Sequence, residues 1–178
     1  DGYRLIVHVA SPEQMLLAEK DKKEKIVVID PGHGTVSDRG YDTGAIGRGG
    51  QRESELVLKI GQLVEQWLVE KGVRVIMTRG EETNLTLAER AAMANEAAAD
   101  AFVSIHANSS PNRAIGGTTT YFYAPAGSDL AGQREERKLL AQKIQNKLCA
   151  ALGRKNLGVR EENFAVLRSA QIPAVLVE

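Results

Sequence analysis

Four residues of this chain can do metal-assisted chemistry if the fold brings them together: His33, Glu53, His106 and Glu178. Residues 26–30 (IVVID) lead into Pro31-Gly32-His33-Gly34, residues 101–108 (AFVSIHAN) carry His106 near their end, and residues 173–178 (PAVLVE) close on Glu178. Two imidazoles and one carboxylate can hold a zinc ion while leaving a position open for water, and a second carboxylate beside them can serve as a base. The combination points to a zinc hydrolase. Taken singly, each residue also has a plainer role. A histidine after a strand is commonly a hydrogen-bonded loop residue, although Gly32 and Gly34 leave His33 room for a sharp turn. His106 and Glu178 follow apolar runs, where an imidazole or carboxylate without a partner is costly. Glu53 sits where the macrodipole favours an acid in a helix's first turn, and Glu55 competes with it for the ligand role. His8 has no comparable context and reads as a surface or packing residue.

The elements that must position these residues follow from periodicity. After residues 26–30 comes a Gly-rich loop to Gln51, then a helix with Leu56, Ile60, Leu63, Val64, Trp67 and Leu68 as its apolar stripe and Gly72 at its end. Residues 73–79 form the second strand, and Thr86 with Glu89 makes a capping box opening an Ala-rich helix to about Ala99. Residues 101–108 and 117–125 are the third and fourth strands. Ser128 or Asp129 caps a helix through Leu139, Leu140, Ile144, Leu148 and Leu152 that Gly153 ends, and a short extended stretch at 164–167 precedes the last strand at Pro173. Strands alternating with helices imply a single α/β domain with a mainly parallel twisted sheet of about six strands and helices on both faces. Continuous apolar strands such as IVVID fit a sheet covered on both sides. In such sheets ligands bind beyond the carboxyl ends of the strands, where His33, His106 and Glu178 stand, and Glu53 opens the helix that leaves the same edge.

Ahead of this domain, residues 1–10 alternate like a strand, Ser11-Pro12 resembles a helix start, and residues 19–25 are a charged linker. The expectation is a tail of an upstream module over residues 1–23 and a catalytic domain over 24–178.

Composition narrows the function. Lys+Arg 23 against Asp+Glu 23 in 178 residues gives no basic field for a nucleic acid, and 4% aromatic residues offer no stacking platform. No apolar run is long enough to span a bilayer. Cys149 is the only cysteine, which leaves no internal disulfide and no cysteine-based metal site, and it reads as a small apolar group on a helix. Gly32-His33-Gly34 is not a dinucleotide loop: Ser37 stands where the third glycine belongs, no helix begins there, and no phosphate-binding G-x-x-x-x-G-K-[ST] element exists.

Read in order, VVIDPGHG (27–34), DTGAIG (42–47), GGQRESELVL (49–58), TLAERAAMAN (86–95), FVSIHANS (102–109), GGTTTYFY (116–123) and IPAVLVE (172–178) resemble successive blocks of the zinc-dependent N-acetylmuramoyl-L-alanine amidases of the amidase-3 type. The resemblance covers residues 25–178. It implies His33, Glu53 and His106 as zinc ligands, with Glu53 preferred over Glu55, and Glu178 as the catalytic glutamate. It also implies one zinc per chain, peptidoglycan as substrate, a role in cell-wall degradation and cell separation, and export to the periplasm or cell wall. The expected protein is a monomer without nucleic-acid partners, carrying a regulatory or wall-targeting module elsewhere in the full-length chain; residues 3–9 resemble the tail of an AMIN module. Members of the family usually continue past the final glutamate into a last helix, which this sequence does not contain. Some relatives carry a plugging segment before the third large helix, and the connection at 125–128 is too short for one. Two rival readings are a zinc carboxypeptidase or endopeptidase acting on stem peptides, and a peptidoglycan-binding module that has lost catalysis. The presence of all four site residues argues against the latter.

Overall fold

The computed structural model describes residues 24–107 and 116–178. The strand, helix start and upstream module expected in residues 1–23 lie outside the described residues, as does the chain just after Ala107. The strands are β1 (Ile26–Pro31), β2 (Val36–Ser37), β3 (Gly40–Tyr41), β4 (Arg74–Met77), β5 (Ala101–Ile105), β6 (Thr118–Phe122), β7 (Asn156–Glu161) and β8 (Ala174–Val177). The helices are α1 (Glu53–Glu70), α2 (Leu87–Glu96), α3 (Arg134–Leu152) and the short α4 (Ala165–Ser169).

Six strands form one sheet in the order β4-β1-β5-β8-β6-β7, while β2 and β3 make a separate antiparallel pair inside the Gly-rich loop. The strands β4, β1, β5 and β8 run parallel, and β6 turns antiparallel to β8 while pairing β7 in parallel. The mainly parallel α/β sheet expected from the sequence is what the chain forms. Alternation along the strands divides the core between two faces. Val28, Phe102 and Leu176 pack with Ala91 and Ala94 of α2 and Val166 and Leu167 of α4. On the other face Ile29 and Ile105 pack with Val57 of α1, and Val175 and Phe122 pack with Ala141 of α3.

The local signals held where their chemistry is local. Thr86 and Glu89 complete the capping box of α2, with the Thr86 hydroxyl 3.3 Å from the Glu89 amide and the Glu89 carboxylate 2.7 Å from the Thr86 amide. Gly72 and Gly153 take positive φ of 75° and 59° just past α1 and at the end of α3, as helix-ending glycines do.

Three expectations are corrected. The apolar stripe assigned to α1 is mostly not its buried side: Leu56, Ile60, Leu63 and Trp67 are exposed, and the helix buries Ser54, Val57, Leu58 and Gly61, with Val64 and Leu68 packed beside them. Gly61 explains the rotation. A Cβ built there would lie 3.0 Å from Pro31 and 3.1 Å from Met77, so the missing side chain is what lets α1 settle close on β1 and β4. Residues 165–169 are helical, with only Phe164 extended before them, and the extended chain lies earlier as β7, a strand not anticipated. As an edge strand with polar ends and Gly158 at φ 93°, β7 shows little of the apolar alternation by which strands are read. Finally, neither Ser128 nor Asp129 caps α3. The Ser128 hydroxyl donates back to the Pro125 carbonyl, a 3-10 turn at Ala131–Gln133 intervenes, and α3 begins at Arg134 without a side-chain cap.

Candidate metal centre

Because β1, β5 and β8 run parallel, their carboxyl ends share one edge, and that edge delivers His33, His106 and Glu178. Glu53 arrives as the first residue of α1, with its amide bonded to the Ala45 carbonyl at 2.8 Å where the Gly-rich loop closes. The backbone ties the edge together: the Gly32 amide donates to the Ile105 carbonyl at 2.9 Å, and the His106 amide to the Val177 carbonyl at 2.9 Å.

One donor atom from each of His33, Glu53 and His106 can be chosen so that all lie within 4.8 Å of one another. Glu53 Oε1 is 3.2 Å from both His33 Nε2 and His106 Nδ1, and the two rings meet edge to face with centroids 4.8 Å apart. Packing reinforces the convergence. A Cβ at Gly32 would fall 2.3 Å from the His106 ring, and one at Gly44 would fall 2.6 Å from the His33 ring. Glu55, the alternative to Glu53, is exposed and pairs with Arg52 at 3.6 Å instead.

The electrostatics differ from donor to donor. Burial pushes the Glu53 carboxyl up, but hydrogen bonds from His106, His33 and the amides of Ala107 and Ala45 outweigh it and hold the group far below the usual carboxylate range. Its hydrogen bond with Glu53 raises His33, with Asp42 adding to the effect against the opposing cost of burial. Asp42 lies 3.0 Å from His33 Nδ1, on the side of the ring away from Glu53, and itself accepts the Gly44 amide at 3.0 Å. A carboxylate there fixes the ring and leaves Nε2 free to donate a lone pair. This orienting role for Asp42 had no advance sign beyond its place in the DTG run.

Glu178 stands apart from this triad. Its backbone is locked to Thr119 by a reciprocal pair of bonds at 2.8 and 2.9 Å, and its half-buried carboxyl is pushed up, first by desolvation and further by the charge of Glu53. It lines a recess of about 210 Å³ with His33 and His106, walled by Leu87, Phe164 and Val166. The donor set, two imidazoles and an ionised carboxylate with one side open to a recess, suits a divalent ion of borderline softness such as zinc.

Fold and site together give an α/β domain with a His-Glu-His cluster, able to hold a metal ion, at the carboxyl edge of its sheet. Residues 27–178 match the family model Amidase_3, N-acetylmuramoyl-L-alanine amidase, and the chain belongs to that family. It is 38% identical over 152 residues to the N-acetylmuramoyl-L-alanine amidase LytC of Bacillus subtilis, covering 85% of this chain and 28% of LytC. Over 132 residues it is 36% identical to the amidase AmiA of Escherichia coli, covering 73% of this chain and 44% of AmiA. The chain therefore spans less than half the length of these two relatives. Among solved structures, an N-acetylmuramoyl-L-alanine amidase from Clostridium difficile 630 superposes with a TM-score of 0.76 at 32% identity, over 88% of this chain and 80% of that one. The catalytic domain of CwlV from Bacillus (Paenibacillus) polymyxa var. colistinus gives 0.73 at 36% identity, over 86% and 79%.

Proposed function

We propose that residues 24–178 form the catalytic domain of an exported zinc amidase that cleaves the amide joining N-acetylmuramic acid to the L-alanine of the peptidoglycan stem peptide. The observation that carries this reading is the meeting of His33, Glu53 and His106 around one small volume, in a chain that matches the amidase family over nearly all its described length. These three residues would hold one zinc ion per chain. A zinc ion so bound supplies a Lewis acid that sharpens water as a nucleophile and polarises the scissile carbonyl.

The rest of the work falls to the protein. Glu178 takes a proton from the attacking water as its oxygen bonds to the lactyl carbonyl carbon, and returns a proton to the alanine nitrogen as the C–N bond breaks. Desolvation raises the Glu178 carboxyl from its ordinary value, and the group lines the same recess as His33 and His106, within reach of a water held there. Asp42 keeps the His33 ring from rotating. Among the described residues no helix is long and apolar enough to cross a membrane. A peptidoglycan substrate places the working protein outside the cytoplasm, in the periplasm or cell wall, and the domain is expected to act as a monomer.

The test is digestion of purified sacculi, with no activator protein added, followed by mass spectrometry. Free stem peptides beginning at L-alanine beside intact glycan strands are expected. Peptides cut internally would favour the carboxypeptidase or endopeptidase reading, and undigested sacculi with protein bound would favour a binding module.

A further inference from the structure

The turn that carries His33 is built from backbone that does not hold itself. His33 has φ of 61° and Gly34 of 73°, so a bulky residue occupies the left-handed region beside a glycine that also does. A non-glycine residue persists in that conformation only where its surroundings enforce it. Just before it, the carbonyls of Pro31, Gly32 and His33 turn away from the sheet ladder, and each needs a donor.

Two buried arginines supply all three. Arg79, from the end of β4, donates Nε to the Pro31 carbonyl at 2.8 Å and Nη2 to the Gly32 carbonyl at 2.7 Å. The same Nη2 reaches the Ser54 carbonyl at 2.8 Å, one residue past Glu53. Arg79 thus joins the backbone before one metal-binding residue to the backbone after another. Arg90, from α2, donates Nη1 to the Pro31 carbonyl at 3.0 Å, and Nη2 to the His33 carbonyl at 2.7 Å and the Thr35 hydroxyl at 2.8 Å. Its charge is met by Asp30 at 3.1 Å, itself held by Thr78 and Ser104. Among the described residues, Arg90 Nε is the one buried side-chain nitrogen or oxygen without a partner. The guanidinium is therefore oriented to serve the turn at the expense of its own third donor group. Neither arginine is needed merely to bury apolar surface, and both are almost fully enclosed, Arg79 at 5% and Arg90 at 1% exposure.

We propose that Arg79 and Arg90 are positioning residues of the metal centre. Their guanidiniums clamp the Pro31–His33 turn, and through Ser54 the first turn of α1, in the geometry that presents His33 and Glu53 to one ion. This rests on the zinc reading above. A planar fork with several fixed donors can satisfy successive carbonyls in a way that a lysine ammonium cannot, so the conservative replacement is the informative one.

The experiment compares Arg79→Lys, Arg90→Lys and Arg137→Lys with the parent, Arg137 being a buried arginine on α3 that touches none of the metal-binding residues. Zinc affinity is measured by competition with a chromophoric chelator, and the visible spectrum of the cobalt-substituted protein reports the coordination geometry. The expected result for the first two variants is about 10- to 100-fold weaker zinc binding, the range for lost outer-shell support, with an altered cobalt spectrum in protein that still melts cooperatively. Arg137→Lys should lower the melting temperature yet keep parental affinity and spectrum. Thr35→Val leaves both arginines in place and removes only the hydroxyl that seats the Arg90 Nη2 arm; it should weaken zinc binding by a smaller factor, and it decides the matter if the lysine variants do not fold. Parental zinc affinity and cobalt spectrum in every folded variant of the turn overturns the proposal. A parent protein that takes up no zinc would instead overturn the metal reading itself.

Discussion

Two regions of the molecule use the same device for different ends. At the carboxyl edge of β1 and β5, Arg79 and Arg90 reach into a turn and bond its carbonyls. At the β6–β8 side, Arg137 of α3 does likewise, donating to the carbonyls of Tyr123, Leu167, Ala170 and Ile172 at 2.6–2.9 Å and to Gln133 at 3.0 Å. Among the described residues no carboxylate is paired with Arg137, and burial pushes its guanidinium down to about 10. In both places chain leaves regular structure inside the protein, where unpaired carbonyls are costly and one guanidinium can satisfy several at once. The difference lies in what the chain carries. Arg137 seats α4 and the approach to β8, which is architecture. The other pair seats a left-handed histidine in the proposed metal centre, where small displacements would change chemistry. Buried arginine alone therefore does not mark a functional site; the residue on the far side of the carbonyl does.

The widest separation between the two regions should appear when the centre itself is altered. His33→Ala or His106→Ala is expected to remove most of the bound zinc, and Glu53→Gln to lower zinc occupancy together with activity, because a neutral amide replaces an anionic ligand. Glu178→Gln should keep its zinc while turnover falls ~10²–10⁴-fold, the cost of a lost general base. Zinc content measured beside the rate in each protein checks the assignment, and a Glu178→Gln protein without metal would mean that Glu178 is a ligand.

A smaller effect of a different kind is expected from Arg137→Met. Four carbonyls lose their donor, so stability in chemical denaturation should drop by roughly 3 kcal/mol or more. Zinc stoichiometry in the remaining folded protein should be parental; loss of metal would erase the distinction between the two clamps. The least change should follow Thr86→Ala, which opens the capping box of α2 at a cost of roughly 0.5–2 kcal/mol. Denaturation curves with and without a chelator would show whether that loss stays in the helix or reaches Arg90 one turn further on.

How the chain announced this arrangement varies from element to element. Strand ends, the Thr86–Glu89 box and the helix-ending glycines were legible because each depends on residues within a few positions of one another. His33, His106 and Glu178 were legible as a group for the same reason: each follows an apolar run, and parallel strands share a carboxyl edge. The seam of α1 was not legible. Counting apolar residues favours Leu56, Ile60, Leu63 and Trp67, whereas Gly61 sets the seam by permitting close contact with Pro31 and Met77, residues of two other strands. The strand β7 was hidden because an edge strand needs apolar residues on little of its surface, and its partner β6 lies more than thirty residues earlier.

The same division runs through the site. Residue type and local position were enough to single out His33, His106 and Glu178 as candidates, since imidazole and carboxylate chemistry belongs to the side chain itself, while their separate roles came from the family pattern. The choice of Glu53 over Glu55 needed either a family pattern or the fold, which turns one inward onto two imidazoles and leaves the other facing water. Asp42, Arg79 and Arg90 were decided by tertiary structure alone. A hydrogen bond between residues 47 or 57 positions apart, such as Arg79 to Gly32 or Arg90 to His33, leaves no periodic trace in the sequence, because its geometry exists only after the sheet and helices have been packed.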